Sequence, residues 1–345
     1  SLRSDGSFAL DMSYFSYEYA LHMTSKKLDT LLGGPARSHT EQLEKRHRDI
    51  AAALQQRTED VVLALAREAR SLTGSRNLCL AGGVALNCTA NGRLLREKLF
   101  DAIFIQPAAG DSGGAIGEAL YAYHRGTPRT MRLTTQPTTA LGPEWNDAQI
   151  EEALHQYREE ITWTKLSENE LCARVADHLS HGQVLGWFQG RMEFGPRALG
   201  HRSILADPRI ASQRDHINSS IKFREDFRPF APAILLEHAA DYFEMAVPSP
   251  FMLYTAPSRT DRLPSTTHID GSSRLQTVDA SNDRFHTLLK TFYAQTGCPA
   301  LLNTSFNTRS EPIVCTPHQA LECLISTNLD GVAIGSFLVA KRPKS

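Results

Sequence analysis

Apolar and polar positions along this chain follow two rhythms. Over residues 41–73, Ala, Leu and Val recur at helical spacing among Glu, Arg and Gln, and the pattern stops at Gly74, which predicts one long helix. Asn77-Leu78-Cys79-Leu80-Ala81 then reads as a buried strand ending in Gly82-Gly83. A helix to about Lys98 follows, then a strand at Ala102–Ile105, a glycine-rich loop over residues 107–114, and a helix through Tyr123. Helices and strands in this alternation predict an α/β layer with a parallel or mixed sheet. Ligands of such sheets sit beyond the carboxyl ends of strands, where both glycine loops fall.

Residues 126–145, GTPRTMRLTTQPTTALGPEW, break the pattern with Gly, Pro and Thr and read as a linker. A helical pattern resumes over residues 147–181, and Val184-Leu185-Gly186-Trp187-Phe188 reads as a buried strand. Beyond it come a strand-like stretch near 231–236, a helix at 281–295, a strand at Pro299–Leu302, a helix at 317–327 and a last strand at 331–339. The expected organisation is a first domain over residues 1–130, a linker over 131–146 and a second domain over 147–345, all α/β. The chain shows no internal repeat and no low-complexity segment.

Composition narrows the classes. A chain of 345 residues, 41% of them hydrophobic, suits two domains. A net charge of -1 gives no field that would gather nucleic acid or an anionic membrane, so neither is an expected partner. No apolar run approaches the roughly 20 residues that cross a bilayer. Ser1-Leu2-Arg3-Ser4-Asp5 is polar with no apolar core after it, so no signal peptide is expected. The six cysteines form no C-x-x-C pair and read as reduced thiols of a cytoplasmic protein, without a zinc site. The chain opens on Ser1 in the middle of what reads as a larger fold.

Residues 189–204, QGRMEFGPRALGHRSI, set Arg191, Arg197 and Arg202 among Gly190, Gly195, Pro196 and Gly200, directly after a predicted buried strand. Glycines let backbone N–H groups approach a ligand, and arginine forks match phosphate or carboxylate oxygens in pairs. The alternative is a surface loop with solvated arginines. Residues 217–230, INSSIKFREDFRPF, set Lys222, Arg224 and Arg228 among phenylalanines, a triphosphate clamp or an amphipathic stretch paired with Glu225 and Asp226. The loop GGVALN, with Gly82, Gly83 and Asn87, suits a phosphate or a plain strand-to-helix turn. In GDSGGAIGEA, Gly110 precedes Asp111, whose carboxylate can hold a divalent metal, a ribose hydroxyl or a helix N-terminus. Arg274 follows a Gly/Ser turn in HIDGSSRLQTV, and Asn303 and Ser305 follow a predicted strand in NTSFNTRS. The general base stays open between His201, His268 and a residue outside this chain.

Together LAGGVALNCTANG, QPAAGDSGGAIGEAL, GWFQGRMEFGPRALGHRSILADPR, KFREDFRPFAP, THIDGSSRLQTV and LNTSFN resemble the O-carbamoyltransferase family, which includes the nodulation-factor and tobramycin-type antibiotic carbamoyltransferases. The resemblance covers the chain from about Asp5 onward. It implies the C-terminal half of an actin-like ATPase-type domain, followed by an α/β domain resembling the one that makes threonylcarbamoyl-adenylate. It implies that the second domain converts carbamoyl phosphate and ATP into carbamoyl-adenylate and pyrophosphate. Transfer to a hydroxyl of a sugar, antibiotic or lipo-oligosaccharide acceptor then follows in the actin-like domain. On this resemblance Arg191, Lys222, Arg228 and Arg274 neutralise the polyanions, and Asn303 and Ser305 orient the carbamoyl group. Gly82, Gly83, Asn87 and Gly110 belong to nucleotide-phosphate loops. Asp111 matches a metal-binding aspartate; iron(II) is implied for transfer and Mg²⁺ with ATP. The family's H-x-x-x-H metal pair has no counterpart here, and that half of the actin-like domain is expected from the same or a separate polypeptide. A homodimer stays open. Two rivals are an enzyme of the tRNA threonylcarbamoyl type and a non-catalytic nucleotide-binding or assembly module.

Overall fold

The structure, a computed structural model, describes the chain except residues 1, 4, 5, 39, 40, 127, 129–137, 246, 310, 344 and 345. Much of the expected linker, residues 131–137, thus lies outside the described residues. The chain divides into two compact units, Ser1–Cys79 with Thr89–Phe104, and Leu80–Cys88 with Ile105–Ser345.

The first unit is built on a short helix α1 (Lys26–Leu31) and a long helix α2 (Lys45–Thr73). Gly74 ends α2 at φ +64°, a left-handed cap that costs glycine nothing. Strands β1 (Asn77–Leu80) and β2 (Ala102–Ile105) pair as a two-stranded sheet, with α3 (Cys88–Arg96) between them in sequence. The expectation that β1 is buried needs correction. Its residues alternate between exposed and half-buried, because a two-stranded ribbon has too little sheet to cover either face. Arg93 on α3 reaches Glu59 and Asp60 on α2 at 3.2 and 3.0 Å.

The second unit contains α4 (Gly113–Arg125) and an eight-stranded mixed sheet. In chain order its elements are α5 (Asp147–Gln156), β3 (Ile161–Lys165), α6 (Glu168–Ser180), β4 (Leu185–Phe188), β5 (Arg202–Ala206) and α7 (Gln213–Ser220). They continue with β6 (Ala231–Leu235), α8 (Ala239–Tyr242), β7 (Thr255–Pro257), β8 (Ser272–Arg274), β9 (Gln276–Val278), α9 (Asp283–Thr296), β10 (Ala300–Ser305), α10 (Pro317–Ser326), β11 (Gly331–Ile334) and β12 (Phe337–Lys341). The sheet order is β3-β12-β11-β4-β5-β10-β6-β9, with β7 and β8 paired separately. The β11–β4 and β6–β9 pairs are parallel and the other five are antiparallel.

Helices cover both faces of this sheet. Leu171, Val175 and Leu179 of α6 and Phe285, Leu288 and Phe292 of α9 pack with Trp187, Leu205 and Leu301 on one face. Ile150 and Leu154 of α5, Ile217 of α7 and Leu321 of α10 pack with Phe188, Ile204 and Leu302 on the other. Central strands β4, β5 and β6 are therefore buried along their whole length. Side chains alternate between faces, so Asn303 and Ser305 share the α6/α9 face with Leu301.

Three sequence expectations change here. The helical pattern over 147–181 is α5 and α6 separated by β3, whose Ile161-Thr162-Trp163-Thr164 favours a strand. The last strand at 331–339 is a hairpin, turned at Gly335 with φ +54°. Residues 202–206, expected within a loop, form β5, paired to β4 and β10. Among the described residues no helix is long and apolar enough to cross a membrane. All six cysteines are free, and Cys172, Cys298 and Cys323 are buried.

Candidate anion-binding site

The Arg/Gly loop of residues 190–201 connects β4 to β5 within the second unit. Its base is clamped by residues 139–143: Phe194 N–H donates to Thr139 O at 2.7 Å, Met192 N–H to Pro143 O at 2.9 Å, and Gly142 N–H to Met192 O at 2.9 Å. Its far limb is held by side chains. Trp187 Nε1 donates to Gly200 O, Gln276 Nε2 and Asn282 Nδ2 both donate to Leu199 O, and Asn303 Nδ2 donates to Ala198 O. Gly200 stands at φ +101° against the Phe285 ring; a Cβ there would lie 2.3 Å from it, so no other residue fits.

The three arginines of this loop have three different settings. Arg202 is 0% exposed, stacked 3.6 Å over the Phe188 ring centroid. Its guanidinium donates to the carbonyls of Gln189, Gly190, His201 and Pro143 at 2.9 to 3.3 Å. That corrects its expected place among solvent-facing anion ligands: its two terminal nitrogens are spent on backbone carbonyls of the loop and of Pro143, and only its buried Nε has no partner. Arg191 is exposed and turns to Gly142 O at 3.0 Å and Glu144 at 3.8 Å. Arg197 is mostly buried, and its Nε has no partner in the protein.

Arg197 belongs to a chain of mutually repelling cations. Burial, and then Arg274, bring its guanidinium down to about 10. Burial, then Arg228 and Arg274, do the same to Arg224. Burial, then Arg224, push the Lys222 ammonium down to about 7. Burial lowers His268 as well, with Arg274 adding to the effect and Asp270 opposing it. Arg274 is common to three of these couplings, and its Nε is buried without a partner. Repulsion among fixed cations is costly in the free protein and is relieved when an anion binds between them. Arg228 is half exposed and paired with Glu225 at 2.9 Å.

Lys222 is 3% exposed and sits under the end of β10. Its Nζ donates to Ser305 O, to Asn307 O at 3.0 Å and to Asn307 Oδ1 at 2.6 Å. All three ammonium protons therefore face the 305–307 turn, and these oxygens oppose the downward push on its charge. Asn307, absent from the sequence-based candidates, also accepts from Ser305 Oγ at 3.1 Å.

Asn303 is 1% exposed at the centre of the sheet, between Leu205 of β5 and Ala231 of β6. Gln276 Nε2 is used by Leu199 O, which turns Gln276 Oε1 toward Asn303 Nδ2 at 2.8 Å. This relay fixes the Asn303 amide and leaves its Oδ1 buried without a partner. Of the buried groups without a protein partner, the Arg197 and Arg274 Nε nitrogens suit an anion and Asn303 Oδ1 an N–H or O–H donor; Arg202 Nε and Glu193 Oε2, at the same loop, are buried without partners too.

The glycine loops lie in the same unit. Gly82 N–H donates to Ala109 O at 2.7 Å, joining the 82–87 and 106–113 turns. Gly195 approaches Pro107 and Ala108, within 3.4 to 3.7 Å of a built Cβ. Gly83 is exposed, and Asn87 and Gly110 are half-buried. Asp111 is exposed at the N-terminal end of α4, and its carbonyl accepts from Gly114 N–H. Among the described residues no group of three or more His, Cys, Asp or Glu side chains could hold a metal ion. Asp111 alone does not make a divalent-metal site. A cavity of about 420 Å³ opens beside the loop, lined among others by His201, Glu144, Asp283 and Arg284. Its carboxylates suit a polyanion less well than the arginine cluster does.

The His268 shift carries a pH signature. Its folded value lies below 6.5, so the unfolded chain binds more protons as pH falls from there. Its contribution to stability is complete above pH about 6.5 and lost as pH falls through the folded value. Thermal melts between pH 5 and 7.5 should show destabilisation on acidification, with a shallower slope for His268→Gln. Equal slopes would mean that His268 stays neutral throughout or is free of the cluster.

The carbamoyltransferase C-terminus model matches residues 176–341 and the carbamoyltransferase N-terminus model matches residues 1–120. The chain is 46% identical over 368 residues to the Synechocystis protein sll1178, covering 99% of this chain and 60% of that protein. It is 44% identical over 312 residues to nodulation protein NolO of Bradyrhizobium diazoefficiens, covering 87% and 56%. It is 35% identical over 272 residues to 3'-hydroxymethylcephem-O-carbamoyltransferase of Amycolatopsis lactamdurans, covering 76% and 48%. The chain thus spans about half to three fifths of the length of these relatives. Among solved structures, full-length HypF in its phosphate- and nucleotide-bound form aligns over 53% of this chain and 22% of its own at 15% identity, with a TM-score of 0.35, too low to establish a common fold. Family models at both ends of the chain, with the arginine-bearing loop and β10 inside the C-terminal one, show that the chain belongs to the carbamoyltransferase family.

Proposed function

We propose that residues 147–345 of the second unit form carbamoyl-adenylate from carbamoyl phosphate and ATP, and that the carbamoyl group then passes to a hydroxyl of a small-molecule acceptor. The observation that carries this reading is the coupled set Arg197, Arg224, Arg274 and Lys222, together with the buried, unpartnered Oδ1 of Asn303, whose Nδ2 donates to Ala198 O next to Arg197. ATP and carbamoyl phosphate are both polyanions, and bringing them together requires fixed positive charge. Carbamoyl phosphate also presents an amide NH₂, a donor that matches Asn303 Oδ1.

Atom balance sets the order of steps. Water takes the phosphoryl group of carbamoyl phosphate, releasing orthophosphate and carbamate. A carbamate oxygen attacks the α-phosphorus of ATP, the α–β bridging P–O bond breaks, and pyrophosphate leaves. Arg197, Arg274 and Arg224 stabilise the charge that grows on the leaving pyrophosphate. Lys222 holds the 305–307 turn that presents Ser305. Arg228 reaches the rim, and Arg191 meets the anions only by leaving Gly142 and Glu144. In the acceptor step the hydroxyl oxygen attacks the carbamoyl carbon and loses its proton, the bond from that carbon to the phosphate oxygen breaks, and AMP departs. We assign that step to an actin-like domain to which residues 1–130, with Gly82, Gly83, Asn87, Gly110 and Asp111, contribute. A divalent metal there needs ligands beyond Asp111, and no step is routed through it.

The test is carbamoyl-phosphate-dependent exchange of labelled pyrophosphate into ATP by this chain. Exchange that needs carbamoyl phosphate is the expected result. Folded protein that binds ATP without any exchange would favour a non-catalytic nucleotide-binding module instead.

A further inference from the structure

Glu193 is a buried carboxylate, 4% exposed, in the middle of the Arg/Gly loop. Its Oε1 accepts three backbone N–H groups across the loop, from Leu199 at 2.6 Å, His201 at 2.9 Å and Arg202 at 3.3 Å. The carbonyls of the same limb are taken by Trp187, Gln276, Asn282 and Asn303. Glu193 supplies the acceptor on the amide side of that limb. Its own backbone is framed by the Met192 and Phe194 hydrogen bonds to residues 139–143. The loop between Glu193 and Leu199 carries Arg197, so the side-chain link from 193 to 199 closes the span on which that arginine stands.

We propose that Glu193 is the positioning residue of this site: it closes the 194–198 span and thereby aims Arg197 beside Arg274. A carboxylate gathering three N–H groups ties the irregular limb of residues 199–201 to the start of β5. Burial brings the Arg202 guanidinium down to about 10, and the Glu193 charge opposes that push. Without Glu193 three amides lose their acceptor, and Arg197, already repelled by Arg274, keeps only the carbonyl anchors of its limb. This inference rests on the carbamoyl-adenylate reading for its assay and on geometry for its cause.

The experiment is a double-mutant cycle. Glu193→Ala and Arg197→Ala should each raise the half-saturating carbamoyl phosphate concentration in the exchange assay by on the order of tenfold or more. The double variant should be no worse than Arg197→Ala alone, because Glu193 acts through that side chain. Glu193→Gln, which keeps an acceptor, should restore most of the affinity. Independent, multiplying effects in the double variant, or a glutamine variant as impaired as alanine, would overturn the proposal. If Glu193→Ala does not fold, Glu193→Asp replaces it in the cycle, keeping the charge but falling one methylene short of the three amides. If the unaltered chain shows no exchange, the functional reading fails on its own. The same cycle is then read by calorimetric titration with inorganic pyrophosphate, where coupling between 193 and 197 is still expected and additivity would still overturn it.

Discussion

Arg202→Ala is expected to cost about 3–5 kcal/mol, the range for removing one member of a buried, hydrogen-bonded charge system. The side chain is wholly buried, lies over Phe188 and donates to four backbone carbonyls. Its loss opens a cavity in the sheet, leaves those carbonyls unsatisfied and strips Glu193 of its compensating charge. Arg202→Lys should recover little, since an ammonium cannot span four acceptors in the plane of a guanidinium. Arg191→Ala, eleven residues earlier on the exposed side of the same loop, should change stability by no more than about 0.5 kcal/mol. Denaturant unfolding of the three variants tests the contrast. Equal midpoints for Arg202→Ala and Arg191→Ala would refute the structural role assigned to Arg202.

Arg274→Ala and Arg197→Ala should behave in the opposite sense. Each removes a cation whose neighbours are cations, so the free protein should keep its melting temperature or gain slightly. Each should lower carbamoyl-phosphate-dependent exchange by about 10²–10³-fold, the usual effect of deleting one preorganised charge donor to a developing anion. A second sign follows from the coupling. Removing Arg274 takes away one of the causes that hold His268 low, so its titration should move up, visible in the imidazole proton resonances. Unchanged exchange in both variants, with stability also unchanged, would remove the arginine cluster from the proposed chemistry.

These contrasts concern residues that look alike in the sequence. Arg191, Arg197 and Arg202 share one glycine-rich segment, and spacing alone offers no ground for separating a surface arginine, a ligand-facing one and a buried structural one. Pairing decided it. Residues 202–206 join β4 and β10, which draws Arg202 into the sheet, and the 139–143 segment then frames the loop's base. Glu193 had no signal beyond lying between apolar residues, because its three partners are amides that come near only when the loop closes. Gln276 likewise reads as one polar residue in a short strand until the parallel β6–β9 pairing sets it beside Asn303.

What the chain alone determined was local. The stop of α2 at Gly74, strand β2 at Ala102–Ile105, strand β4, and α9 and α10 to within about two residues follow from apolar periodicity, caps and glycine. The motifs from 80 to 307 pointed to the carbamoyltransferase family, and both family models match. What tertiary structure decided was which charges face one another. Lys222, Arg224, Arg274 and Arg197 are spread over 78 positions of sequence, and the repulsion that Arg274 exerts on Arg224 and Arg197 exists only after the segment following α7, β8 and the 190–201 loop meet. Periodicity reports the water-facing and core-facing sides of each element, whereas a binding site depends on distances between elements, which no local pattern encodes.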